Sequence, residues 1–333
     1  MNAGSLRRRS FLIGTGSAAV LAGCMTSPTG TQVVTQRLRV KVFPGAQNLA
    51  LFAGIEHGMF ARHGLDVDLQ FTQNSVELRD GLGQGLFDIA HAAVDNAVAM
   101  REAGRHVVVV AGGDNSMNEL FVQPGIESLA QLRGKTLIVD APNTAYALQA
   151  KKILKNAGVQ PGEYAVKQVG GTFQRFVAMQ EDHANSASTL NPPYSLQAAQ
   201  GGLRSLGRVS ELLGPYQGSG VFVMRPWAQA HGGLLERYLA ALIDATRWAL
   251  APINREPAIS LLVQRLKIVH SLAVSTYAAL TDARNGIAAD AAFDAQGFSE
   301  VLGIRAELEG QWGGRPPPQE RFVDLHWYRG AAH

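Results

Sequence analysis

Several short stretches carry residue types that do chemistry in other proteins, and their spacing decides what they do here. Ser219 sits between glycines in "YQGSGVF", but a nucleophile elbow needs glycine two residues to either side, where Gln217 and Val221 stand. Gly134-Lys135-Thr136 ends like a phosphate loop, yet Leu129 occupies the position of its first glycine and a strand pattern follows. "GLGQG" (81–85) lacks dinucleotide-binding spacing, and His57 and His63 lack the i, i+4 spacing around a glutamate that a zinc protease needs. Cys24 is the only cysteine, so no disulfide and no cysteine-based metal site can form within the chain. Enzyme chemistry, a bound metal and a cofactor are therefore not expected.

A different group of residues recurs with a pattern. Short polar side chains stand where strand-like runs stop and helix-like runs begin: Gln47 and Asn48, Asn74 and Ser75, Asp95 and Asn96, Asp114, Asp140 with Asn143 and Thr144, Thr172, and Asn191. Each alone reads equally well as a helix cap. Gathered in one cleft, they would offer free backbone N–H groups and hydrogen-bonding side chains to a ligand. Phe43, Phe71, Tyr146, Phe173 and Tyr194 lie beside the same breaks and suit a flat ligand, with Phe43 and Tyr194 the preferred contacts. Arg79 and Arg175, in matching places of the two halves, suit a carboxylate or sulfonate. Asp95, Asp114 and Asp140 instead suit an amine, hydroxyl or amidine donor, so ligand charge stays open.

The elements that must position these residues are α/β. From Arg37, "LRVKVF" and "LDVDLQF" alternate as strands, "HVVVVAGG" is a buried strand, and helical runs separate them. Such spacing predicts mainly parallel sheets with helical crossovers. The plan then repeats: "TLIVDAPNTAYALQAKKILKNAGV" matches "LRVKVFPGAQNLALFAGIEHGMFARHGL" in kind, as strand, polar break, helix and glycine. Two lobes follow. "SMNELFVQPGIESLAQL" carries the chain into the second and "GSGVFVMRPWAQ" carries it back, a two-strand hinge able to close around a ligand. The expected bounds are 37–121 plus 224–333 for lobe one, including the amphipathic C-terminal helices, and 122–223 for lobe two. Ligands of open α/β sheets bind at the carboxyl ends of the strands, which is where the polar breaks lie.

The N-terminus reads as an address. Arg8-Arg9-Ser10-Phe11-Leu12 resembles a twin-arginine export signal, and Leu21-Ala22-Gly23-Cys24 resembles a lipoprotein cleavage box, with 1–23 removed, Cys24 lipidated and 24–36 a tether. The apolar stretch is too short to span a bilayer, which takes roughly 20 residues. Three leader arginines account for the whole excess of 30 basic over 27 acidic residues. Without a basic stripe interleaved with aromatics, no nucleic-acid partner is expected. With 46% hydrophobic and 17% charged residues, the remainder has the composition of a chain with packed cores.

"GMFARHGLDVDLQF", "GLGQGLFDIAHAAVDNAVA", "SLAQLRGKTLIVDAPNTAYAL" and "TLNPPYSLQA" look like elements of a known family and occur in its order. Over roughly 37–304 the chain resembles the periplasmic solute-binding proteins of the nitrate, sulfonate and thiamine-precursor (hydroxymethylpyrimidine) group. That resemblance implies the type II periplasmic binding protein fold and the solute-binding role in an ABC-type importer, with a permease and an ATPase as partners. It also implies a monomer in the periplasm, lipid-anchored to a membrane. The pyrimidine synthases built on this fold carry a cysteine-rich motif that this chain cannot supply. A periplasmic enzyme or ligand sensor reusing the fold is the alternative.

Overall fold

A computed structural model describes residues 35–332. The leader, the tether and Cys24 lie outside the described residues. The first sheet holds β1 (Gln36–Val42), β2 (Leu65–Phe71), β3 (Ile89–Ala93), β4 (Val107–Asp114) and the late strand β10 (Ser219–Met224), in the order β2-β1-β3-β10-β4. The second holds β5 (Glu119–Val122), β6 (Thr136–Val139), β7 (Ala165–Gln168), β8 (Asn185–Leu190) and β9 (Arg204–Arg208), in the order β7-β6-β8-β5-β9. β1 pairs parallel with β2 and β3, as β6 does with β7 and β8. The repeat read in the sequence is thus a repeat of topology.

In each sheet the fourth strand is antiparallel, and a segment that crosses between lobes supplies it. β5 lies antiparallel to β8 and β9, and β10 lies antiparallel to β3 and β4. The crossings therefore fall before β5 and before β10, a few residues earlier than the expected bounds at 121/122 and 223/224. Both "ELFV" and "GVFVM" are short apolar runs, and an apolar run does not say which of two sheets will bury it.

Alternation along the strands builds a core on both faces of each sheet. Val108 and Val110 pack with the helix Gly232–Leu250, while Val107 and Val109 face Phe298, Val301 and Leu302 of the helix Ala295–Glu309. In the second sheet Leu137 and Val139 pack against Ala147, Ala150 and Leu154, with Ile138 on the opposite face beside Met179. The helices Gly232–Leu250 and Ala295–Glu309 cover the two faces of the first sheet. Ala295–Glu309 also reaches the second-lobe helix Ala145–Asn156, where Glu307 receives Lys152 at 2.6 Å and Lys155 at 2.9 Å. No single described helix is long and apolar enough to cross a membrane.

Candidate functional site

The carboxyl ends of β1, β2, β3, β4, β6 and β8 converge on one cavity of about 330 Å³ between the lobes. Eleven of the fourteen preferred contacts line it: Phe43, Gln47, Asn48, Ser75, Asn96, Asp114, Asp140, Thr144, Thr172, Asn191 and Tyr194. They divide by what their polar atoms already do. Asn48 is buried and donates to the Phe43 carbonyl at 2.8 Å and the Gly45 carbonyl at 3.1 Å, so it fixes the turn that presents Phe43. Thr144 donates back to the Ala141 carbonyl at 2.9 Å rather than capping its helix. Asn191 lines the cavity and makes no side-chain hydrogen bond among the described residues.

Asp140 joins the lobes. Its Oδ2 accepts from the Ser75 hydroxyl at 2.5 Å and from the Ser75 N–H at 3.3 Å, at the start of the helix Ser75–Gly83. Beside it the Gly171 N–H donates to the Gln73 carbonyl at 3.2 Å and Gln174 donates to the Gln73 side chain at 2.5 Å. The cleft is shut along this seam.

Asp114 belongs to both cavity and hinge. Its Oδ1 accepts from the Ser116 N–H at 2.9 Å in the outgoing connection between β4 and β5, and its Oδ2 accepts from the Ser219 hydroxyl on the returning strand β10. Ser116 holds a left-handed backbone, φ 67°, unusual for a side-chain-bearing residue. Gly218 passes so close that an added Cβ would stand 2.3 Å from Asp114 Oδ1. Burial raises the Asp114 pKa above the ordinary carboxylate value.

Three expected contacts lie outside the cavity lining. Asn74 caps the helix Ser75–Gly83, accepting from the Glu77 N–H at 2.9 Å. Asp95, 1% exposed, is consumed by a two-pronged ion pair with Arg305 of the helix Ala295–Glu309. Asn143 is exposed, and only its carbonyl is used, accepting from Arg305 at 3.0 Å. The partner of Asp95 lies 210 residues away, so no local pattern announces that the carboxylate is taken.

The structure also brings in residues that the preferred set omitted: His91, Tyr146, Phe173, Arg175 and Ser219. Arg175, 1% exposed, donates to Ser188 Oγ at 3.0 Å, the Gly170 carbonyl at 2.7 Å, the Thr189 carbonyl at 3.0 Å and Thr172 Oγ1 at 3.3 Å. Its guanidinium lies over the Tyr146 ring, 5.4 Å from the centroid. Position beside a strand-end loop was the signal available in the sequence, and it did not separate a buried arginine from an exposed one. Of the histidines first considered for metal, His57 lies tilted against Trp248, with ring centroids 4.3 Å apart, and His63 faces Asp244 at 3.5 Å.

His91 shares a 2.7 Å hydrogen bond with the Tyr238 hydroxyl, and burial drives its pKa from 6.5 down to about 3. It is neutral in the folded protein at any ordinary pH. A pKa depressed on folding stabilises the fold above the unfolded value and loses that contribution as pH falls from 6.5 toward 3. The expected result is a loss of about 2 kcal/mol between about pH 7 and pH 5, relative to His91→Gln measured in parallel. Equal pH dependence of the two proteins in urea titrations would exclude this source.

A family model described as NMT1/THI5 like matches residues 46–252. No curated protein sequence matches the chain significantly. Among solved structures, the ligand-binding component of an ABC-type import system from Staphylococcus aureus, with zinc bound, superposes with TM-score 0.75 at 14% identity, over 89% of this chain and 99% of that one. The periplasmic nitrate-binding protein of Synechocystis gives 0.73 at 15%, over 90% and 88%. The alkanesulfonate-binding protein of Xanthomonas axonopodis pv. citri, bound to MOPS, gives 0.70 at 17%, over 87% and 98%. At these identities the likeness is one of fold, the periplasmic binding protein fold expected from the sequence.

Proposed function

We propose that this chain, which belongs to the NMT1/THI5-like family, is the solute-binding component of an ABC-type importer. The observation that carries the reading is the cavity itself, lined from both lobes at the strand ends and shut by Ser75 on Asp140. A cleft that closes in this way converts hydrogen bonds and apolar contact with a small molecule into a change of shape, which a permease reads. The structural neighbours named for import, nitrate binding and alkanesulfonate binding favour the same role. Export by the twin-arginine route and anchoring through a lipid on Cys24 complete the proposal, and place the receptor beside the membrane that holds its permease.

The test uses the purified protein and a metabolite extract. A retained compound, identified by native mass spectrometry, should raise the melting temperature by linkage and reduce the radius of gyration in solution scattering. Chemical conversion of the retained compound would favour an enzyme on the same fold. Retention of nothing from a broad extract would remove the receptor reading.

A further inference from the structure

Three charged side chains line the cavity: Asp114, Asp140 and Arg175. His91 adds no charge, since burial keeps it neutral. Arg175 and Asp140 act on one another electrostatically, which offsets one pair of opposite charges. Arg175 is also poorly placed to receive an anion. Four of its five N–H donors go to Ser188, Gly170, Thr172 and Thr189, and it makes no ion pair among the described residues.

Asp114 remains. It is 8% exposed, and Ser116 and Ser219 donate to it, but no basic side chain pairs with it among the described residues. A buried carboxylate without a cation is costly, which is why burial raises its pKa, and a positive ligand would stabilise the ionised form. Phe43, Tyr146, Phe173 and Tyr194 supply ring surface, which suits a flat body and favours positive charge above it.

We propose that Asp114 is the specificity-determining carboxylate of this cavity, and that the solute it selects is an organic cation with a flat apolar body and N–H donors, of the arylamidinium or arylammonium kind. The inference rests on the receptor reading and deepens it. An oxyanion would enter as a third negative charge and meet a single free guanidinium N–H. An amidinium instead sets its charge and its N–H groups against Asp114, which serine and backbone donors hold but no cation pairs among the described residues.

Calorimetric titration of the purified protein with benzamidine and benzylamine, against benzoate and benzenesulfonate, holds the ring constant and changes only the charged group. Benzamidine should bind at least about tenfold more tightly than benzoate. In Asp114→Asn the ratio should fall toward one. The ranking in the unaltered protein decides the matter even if that variant does not fold. Benzoate or benzenesulfonate binding as tightly as benzamidine would overturn the inference, as would an unchanged ratio in a folded Asp114→Asn protein. An oxyanion bound in the cavity would leave the receptor reading standing. Failure of every probe together with every metabolite in the extract would remove both.

Discussion

Arg305→Ala should lower the free energy of unfolding by about 3–5 kcal/mol, the usual cost of leaving one half of a buried ion pair alone. Arg305 and Asp95 are 2% and 1% exposed, and the guanidinium reaches both carboxylate oxygens. Its second contact, to the Asn143 carbonyl at 3.0 Å, ties the helix Ala295–Glu309 to the loop after β6 in the other lobe. The truncation therefore leaves a charge without water or partner and also loosens one lobe from the other. The double variant Asp95→Ala/Arg305→Ala should recover a substantial part of the loss, because it removes the stranded charge as well. Urea denaturation measures both. A loss below about 1 kcal/mol in the single variant would mean that Asp95 finds water or another donor, and that the pair is not what holds the helix.

Arg175→Ala should cost a comparable amount, about 3–5 kcal/mol, through a different mechanism. The carbonyls of Gly170 and Thr189 and the hydroxyl of Ser188 lose a charged donor in a buried place, and the Tyr146 ring loses the guanidinium over its face. Because Gly171 and Thr172 shape one wall of the cavity, solute affinity should fall even at temperatures where the variant stays folded. Arg175→Lys discriminates between charge and geometry. A lysine restores the charge but cannot reach four acceptors in a planar fork, so it should recover less than half of the lost stability. Full recovery by lysine would show that charge alone matters at this position.

The loops that form the site were legible because strand ends, polar breaks and helix starts are local features. "LIVDAPNTAYAL" stops being a strand at Asp140 and starts being a helix at Ala145, and the structure has β6 end at Val139 and the helix begin at Ala145. What each polar side chain does there was less legible. Asn48, Asn96 and Asn191 look alike in sequence, yet the first is spent on its own turn, the second keeps one unsatisfied oxygen and the third makes no side-chain hydrogen bond. The division between lobes was displaced by a few residues for a related reason. β5 and β10 are short apolar runs whose sheet is chosen by antiparallel partners far along the chain.

The sequence by itself determined the two-lobed α/β architecture, the repeat that makes the lobes alike and the set of loops facing the cleft, because periodicity and turn chemistry act within a few residues. Only the tertiary structure decided which charges remain for a solute. Asp95 is neutralised by Arg305 from the helix Ala295–Glu309, Arg175 is turned into the second lobe, and Asp114 is left buried with no cation beside it among the described residues. Charge compensation depends on distance in space and on exclusion of water, and neither is written in the neighbourhood of a residue along the chain.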